Sequence, residues 1–149
     1  MKKIIFLIAL SICALTSHAS TLFDECENIK GITTVYVSKA MIALAGDLNI
    51  EAGDVDFNSI ANKIEEIEIM TADQSAPAAT LRAKAKAAFK GNGYEKLMSV
   101  HEDDENVDIL MQKGSPNRCI ILADQKDEMT VVILSGNFTV NDIVSLNKK

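Results

Sequence analysis

Apolar and polar residues follow two different rhythms along this chain, and the change between them divides the sequence. From Thr21 to Lys30, Leu22, Cys26 and Ile29 recur at helical spacing, and Gly31 stands where a helix would stop. Ile32-Thr33-Thr34-Val35-Tyr36-Val37 is rich in β-branched and aromatic side chains and predicts a strand. Ser38 then caps a helix over Lys39 to Ala45 that carries Met41, Ile42 and Leu44. A polar loop runs from Gly46 to about Asp56, after which Phe57, Ile60, Ala61 and Ile64 form a short helical face. Glu65-Glu66-Ile67-Glu68-Ile69-Met70 alternates as a half-buried strand does. The alanine-rich run from Pro77 to Lys90 is the best helix. It sets Leu81, Ala85, Ala88 and Phe89 on one stripe, and Gly91-Asn92-Gly93 ends it.

The last third keeps a period of two. Strands are predicted over Tyr94 to His101, Asn106 to Lys113, Arg118 to Gln125 and Met129 to Leu134. They are separated by Asp103-Asp104, Gly114-Ser115-Pro116 and Lys126-Asp127, each short enough for a hairpin. Val107, Ile109 and Met111 share one face, so the sheet has one covered side. Gly136 breaks the final strand, and Thr139 caps a closing helix with Ile143, Val144 and Leu146 inward. This pattern predicts an α+β fold: an antiparallel sheet with a C-terminal four-strand meander and helices packed mainly on one face.

The N-terminus reads differently. Lys2 and Lys3 precede an apolar run, Ile4 to Leu10, that weakens towards Leu15 and ends in Ser17-His18-Ala19. A positive start, a short greasy middle and a small-x-small exit make a signal peptide over residues 1–19, and a spanning helix needs about 20 apolar residues. Lipidation at Cys13 is disfavoured because Ile12 occupies a place that wants a small residue. The mature chain, 20–149, is then one exported α+β domain with no transmembrane span, periplasmic or associated with the cell envelope. Hydrophobic residues make up 48% and charged residues 24%, which excludes a disordered chain. The 15 Lys+Arg against 21 Asp+Glu give a net charge of −6, and loss of two lysines with residues 1–19 makes it −8. That balance argues against a general nucleic-acid binder.

Candidate chemistry is sparse. Cys26 and Cys119 are the thiols left after cleavage, and they either form a disulfide or remain two separate buried thiols. His101, in His101-Glu102-Asp103-Asp104-Glu105, either titrates beside four acids or sits on a solvated hairpin tip. Asp47 to Gly53 begins like a calcium loop, but Ala52 and Asn58 stand where Gly and a bidentate Glu belong. Leu134-Ser135-Gly136 lacks the first glycine of a nucleophile elbow, and no phosphate loop or dinucleotide fingerprint occurs. Arg82, Lys84, Lys86 and Lys90 are the one local concentration of cations: a basic face for an acidic partner, or the wet side of an alanine helix. Asn137-Phe138-Thr139 matches a glycosylation sequon, relevant only in a eukaryotic secretory pathway.

Three stretches taken together carry a likeness: Thr34-Val35-Tyr36-Val37-Ser38-Lys39-Ala40-Met41, Tyr94-Glu95-Lys96-Leu97-Met98-Ser99-Val100, and Leu134-Ser135-Gly136-Asn137-Phe138-Thr139. They resemble the bacterial domain-of-unknown-function family numbered 4252, small exported proteins with a signal peptide. The resemblance carries no activity, cofactor or catalytic residue, and the neighbourhood of sigma-factor regulators implies a link to envelope signalling. The sequence therefore points to a binding module that engages an envelope protein or a second copy through the sheet. Two alternatives stand beside it: a hydrolase using scattered carboxylates or a Cys26–His101 pair, and a small-ligand or lipid carrier with an apolar cavity.

Overall fold

The computed structural model describes residues 21–45, 51–52, 55–91 and 93–145. Helix α1 (Thr21–Glu27) leads through a turn into β1 (Thr33–Ser38) and α2 (Lys39–Ala45). Two short strands, β2 (Glu51–Ala52) and β3 (Val55–Asp56), pair with each other and precede a 3-10 turn over Phe57–Lys63. Then come β4 (Ile64–Ala72), α3 (Ser75–Ala88), the meander β5 (Glu95–Glu102), β6 (Glu105–Gln112), β7 (Asn117–Gln125), β8 (Met129–Gly136), and finally α4 (Val140–Ser145). This is the expected α+β architecture. The signal peptide over residues 1–19 and Leu146 lie outside the described residues, and so does most of the Asp47 to Gly53 segment that fails as a calcium loop.

All six long strands join one antiparallel sheet in the order β1-β4-β8-β7-β6-β5. The meander comes back on itself so that β8 pairs with β4, which joins the last third of the chain to the part before α3. Directly opposed residues point to the same face, so the register assigns every side chain a side. Met70, Ala72, Val131, Ile133, Ile120 and Leu110 face α1 and α3 and pack with Leu22, Phe23, Ala78, Leu81 and Ala85. The opposite face sets Ile67, Leu134, Cys119 and Met111 under Ile42 of α2, Ile60 of the 3-10 turn, Phe138 and Ile143 of α4.

The main helices lie on one face as expected, and the other face is not bare. The 14-residue α3 and α1 occupy one face as anticipated, while the short segments α2, the 3-10 turn and α4 finish part of the other. Period-two patterning misses this because Leu110 and Met111, neighbours on β6, are both buried. In α4 Ile143 is inward, but Val144 is exposed. That helix is fixed by a reciprocal cap: Asp142 accepts from the Thr139 amide at 2.8 Å, and Thr139 Oγ1 accepts from the Asp142 amide at 3.3 Å. Lys63 donates to Asp142 at 2.8 Å, tying α4 to the 3-10 turn.

Two glycines are required by their surroundings. Gly31 follows α1 at φ +91, a left-handed geometry that a side chain disfavours, and lies against Pro77 of α3. Gly136 ends β8 because the backbone at Lys63 and Ile64 comes so close that a Cβ would sit 2.0 Å from the Lys63 carbonyl oxygen. Replacement Gly136→Ala should therefore destabilise the protein by about 2–3 kcal/mol, since backbone cannot rotate aside as a side chain can. Gly93→Ala, where the nearest atom is Gln112 Nε2 at 3.5 Å, should cost far less. Urea unfolding of the two variants checks the difference.

Candidate functional site

Each face of the sheet leaves one region unfinished. Beyond the covered row of Ile67, Leu134, Cys119 and Met111, the next row runs across all six strands as Val35, Ile69, Val132, Ile121, Ile109 and Met98. Its members are half-buried, and Val35 at the edge is 44% exposed. One row further lie Thr33, Thr71, Thr130, Ala123, Val107 and Val100, the last 37% exposed. None of these twelve side chains carries a charge. The row after that, on the same face, is Glu102, Glu105 and Gln125. Around it the β5–β6 and β7–β8 turns place Asp103, Asp104, Asp127 and Glu128 at the rim of a shallow depression of about 480 Å³, with Lys126 as its one cation. An uncharged sheet face ending on carboxylates offers apolar area to a partner and attracts cations at one end.

On the α1/α3 face there is a half-open cleft of about 590 Å³ between the two helices and the start of β5. Small side chains on α3, Ala83, Ala87 and Ala88, leave the space, and Leu22, Phe89 and Tyr94 wall it. Phe89 and Tyr94 meet edge to face, ring centres 5.5 Å apart. Arg118 of β7 reaches it from the sheet and is only 8% exposed; its Nη1 donates to Gln112 Oε1 at 2.9 Å. Lys84 and Glu25 pair across the helices at 3.1 Å.

Beside Arg118, the polar residues of this face continue through Ser135 to Glu66 and Glu68 on β4. Glu68 is 2% exposed, and its Oε2 has no hydrogen-bond partner among the described residues. Burial is the main cause that pushes its carboxyl up to about 7; Glu66 adds to the rise and Arg118 opposes it, with Asp24 a smaller addition. The strand pattern placed Glu68 on a wet side. It is buried because β4 lies between two strands and beneath α1 and α3.

The residues singled out from sequence meet different fates. Cys26 and Cys119 are both buried free thiols in separate clusters on opposite faces, so the disulfide alternative is not formed. Burial raises both thiols, Cys119 to about 12. The supposed basic face is dispersed. Arg82 turns to β7, donating to Asp124 at 2.7 Å and to the Gln125 carbonyl at 2.8 Å, whereas Lys84 turns to Glu25 on the other flank. Lys86 and Lys90 stay exposed.

His101 and Cys26 are not brought together. Cys26 faces inward from α1, which packs on β1 and β4, and His101 lies on the far edge strand, with three strands between β4 and it, or about 20 Å away. What the structure does gather is Ser99, His101, Asn106 and Asp108. His101 Nδ1 lies 2.6 Å from Asn106 Oδ1, and Nε2 lies 3.2 Å from Ser99 Oγ. Ser99, however, donates its single proton to Asp108 at 2.5 Å, and the whole string is solvent-exposed. It is a cross-strand polar lattice on an edge strand. Among the described residues, no group of three or more His, Cys, Asp or Glu is placed to hold a metal ion, and no helix is long and apolar enough to cross a membrane.

Fold and surfaces define an antiparallel α+β protein with one open sheet half and one lateral cleft. Its family is set by residues 25–146, which match the domain of unknown function DUF4252; the chain belongs to that family. No curated protein and no solved structure matches it.

Two expectations follow for this region. An unfolded glutamate titrates near 4.3, so Glu68 is protonated in both states below about pH 4 and costs nothing there. From about pH 4 up to about 7 the unfolded chain gives up this proton while the folded protein holds it, so stability falls by about 3 kcal/mol over that range and levels off above it. Glu68→Gln should accordingly raise Tm at pH 8 and leave it nearly unchanged at pH 4. Separately, Cys26 and Cys119 should react with a thiol reagent only after denaturant is added, both together at the global unfolding transition.

Proposed function

We propose that this chain is an exported, non-catalytic binding protein of the cell envelope, and that it engages its partner with the open half of the sheet. The observation that carries the reading is the pair of uncharged rows, Val35 to Met98 and Thr33 to Val100, that end on Glu102 and Glu105. Export rests on the N-terminal pattern of Lys2, Lys3 and the apolar run that follows.

Size and charge select the occupant. Six strands spaced by about 4.8 Å and three rows about 7 Å apart give a patch of about 24 by 14 Å. Two copies stacked face to face on it would bury roughly 300–350 Å² each, well below the 800 Å² or so per partner of a standard interface. They would also bring together chains of like negative charge. One amphipathic helix, about 10–12 Å wide, matches the patch, and cations along its flank would meet Glu102, Glu105 and the acidic turns. An interface that small gives a transient complex, bound in the micromolar range.

Calorimetric titration with a designed Leu/Lys amphipathic helix tests this, with an equally charged Gln/Lys peptide as control. The apolar peptide should bind and the control should not. Val35→Lys with Val100→Lys should weaken binding at least tenfold, and Glu102→Lys with Glu105→Lys should remove its salt dependence. Sedimentation of the protein alone runs beside it. A dimer that the Val35/Val100 variant abolishes would replace the partner helix by a second copy, and absence of peptide binding would overturn the reading.

A further inference from the structure

The sheet has two edges, and they are built differently. β5, at one end, carries Glu95, Lys96, His101 and Glu102, and its pairing with β6 shifts between Lys96 and Met98. Lys96 also pairs with Asp108 at 3.5 Å. Charges and a bulge along an edge strand turn further strands away. β1, at the other end, has none of these devices. Thr33-Thr34-Val35-Tyr36-Val37-Ser38 contains no charge and no proline, and its six pairs with β4 run without a shift. Among the described residues its outer side meets no further strand. An antiparallel neighbour takes the N–H and C=O groups of alternate residues, so about three of each on β1 point away from β4.

The two faces beside this edge differ in chemistry. On the open face the uncharged row ends at Val35, which is exposed. On the α1/α3 face Tyr36, also exposed, meets Phe23 edge to face and donates to Glu66 at 3.1 Å. Beyond the effect of burial, Glu66 and Asp24 both push the carboxyl of Glu68, opposite Tyr36, upward, with Arg118 opposing them. This side of the edge therefore carries a negative field. A carboxylate accepts several hydrogen bonds, so Glu66 has capacity for a second donor beside the Tyr36 hydroxyl, and a cation beside an exposed tyrosine gains from the ring as well. Lys30 and Lys39, before and after the strand, confine the negative stretch to its middle.

We infer that the outer edge of β1 takes one further strand, from an extended peptide in which basic and β-branched apolar residues alternate. The peptide backbone continues the ladder, and its side chains read the two faces. Apolar side chains fall beside Val35 and prolong the uncharged row; basic side chains fall beside Tyr36 and reach Glu66. A second copy of the chain fits less well, because its β1 would bring another Glu66 and another net negative charge to the same line. The edge is a surface distinct from the helix-sized patch on the open face, sharing Val35 with it.

The capped heptapeptide Lys-Val-Lys-Val-Lys-Val-Lys, fluorescently labelled and followed by anisotropy, tests the assignment. It should bind at one site, and Glu-Val-Glu-Val-Glu-Val-Glu should bind at least tenfold more weakly. In an extended peptide all valine amides point to one edge and all lysine amides to the other. N-methylation of one set should therefore abolish binding, whereas N-methylation of the other should leave it within about threefold. Glu66→Gln should weaken binding at least fivefold. Val100→Lys, at the far end of the open face, should leave the strand peptide unaffected while weakening the Leu/Lys helix, so the two surfaces are told apart. Equal loss from both methylated peptides, loss from neither, or binding removed by Val100→Lys would overturn the edge assignment. So would no binding at all, or a dimer of the protein alone that Tyr36→Lys abolishes, which would seat a second copy on β1.

Discussion

The pairing of β4 with β8 is the constraint on which the rest of the structure depends. Among the described residues it is the one ladder that joins the meander to the strands before α3, and it runs from Ile64↔Gly136 to Ala72↔Met129. A slip of one residue would exchange the faces: Glu68 would leave the α1/α3 side and Ile67 would leave the opposite core. Both ends of the ladder resist such a slip. At one, the Lys63 carbonyl lies so close to Gly136 that a side chain has no room, and it accepts a hydrogen bond from the Asn137 amide at 2.9 Å. At the other, Ala72 and Met129 are buried in the cluster that α3 closes.

From this register follows an unequal finishing of the two faces. The α1/α3 side receives a helix of 14 residues and is covered along most of the sheet, but it also receives Glu68, Ser135 and Arg118 as buried polar groups. The opposite side receives only short segments, which cover one row and leave two. Burying ionisable groups opposes folding unless each is paired, whereas exposing apolar rows forgoes stabilisation of about 25 cal/mol per Å². Neither arrangement is what stability alone would select. The second becomes intelligible when a partner is to meet it.

Much of the architecture was legible in the sequence because local signals and final structure agree. The meander strands came out within two residues of the observed ends, since Asp103-Asp104, Gly114-Ser115-Pro116 and Lys126-Asp127 break a clean period of two. Lys39–Ala45 was legible from Ser38, whose hydroxyl accepts from the Met41 amide at 3.3 Å. What stayed hidden was relational. Glu68 sits in an alternating run identical in form to a half-wet strand, and only the placement of β4 between β1 and β8 buries it. The four cations of the alanine helix look like one face on paper, yet Arg82 and Lys84 lie on opposite flanks and find Asp124 and Glu25, residues 42 and 59 positions away. Arg118 gave no signal at all: it opens an ordinary strand, and its meaning comes from Gln112 beside it and the alanines above it.

Strand β7 shows how one segment serves three purposes through alternation alone. Arg118 points to the cleft, Cys119 to the covered half of the other face, and Ile121 and Ala123 to its open half, while Asp124 turns back to hold Arg82 of α3. Because strand backbones inside a sheet are held on both sides, these side chains are fixed relative to one another more firmly than any on a loop. A partner on the open face would thus rest on β7, backed on the other side of the sheet by the close-packed core of Ile120 and Ile133, with little freedom to shift. A rigid shared strand transmits no coupling unless it has two arrangements to choose between, and the paired β6–β7–β8 ladders run here without a register shift.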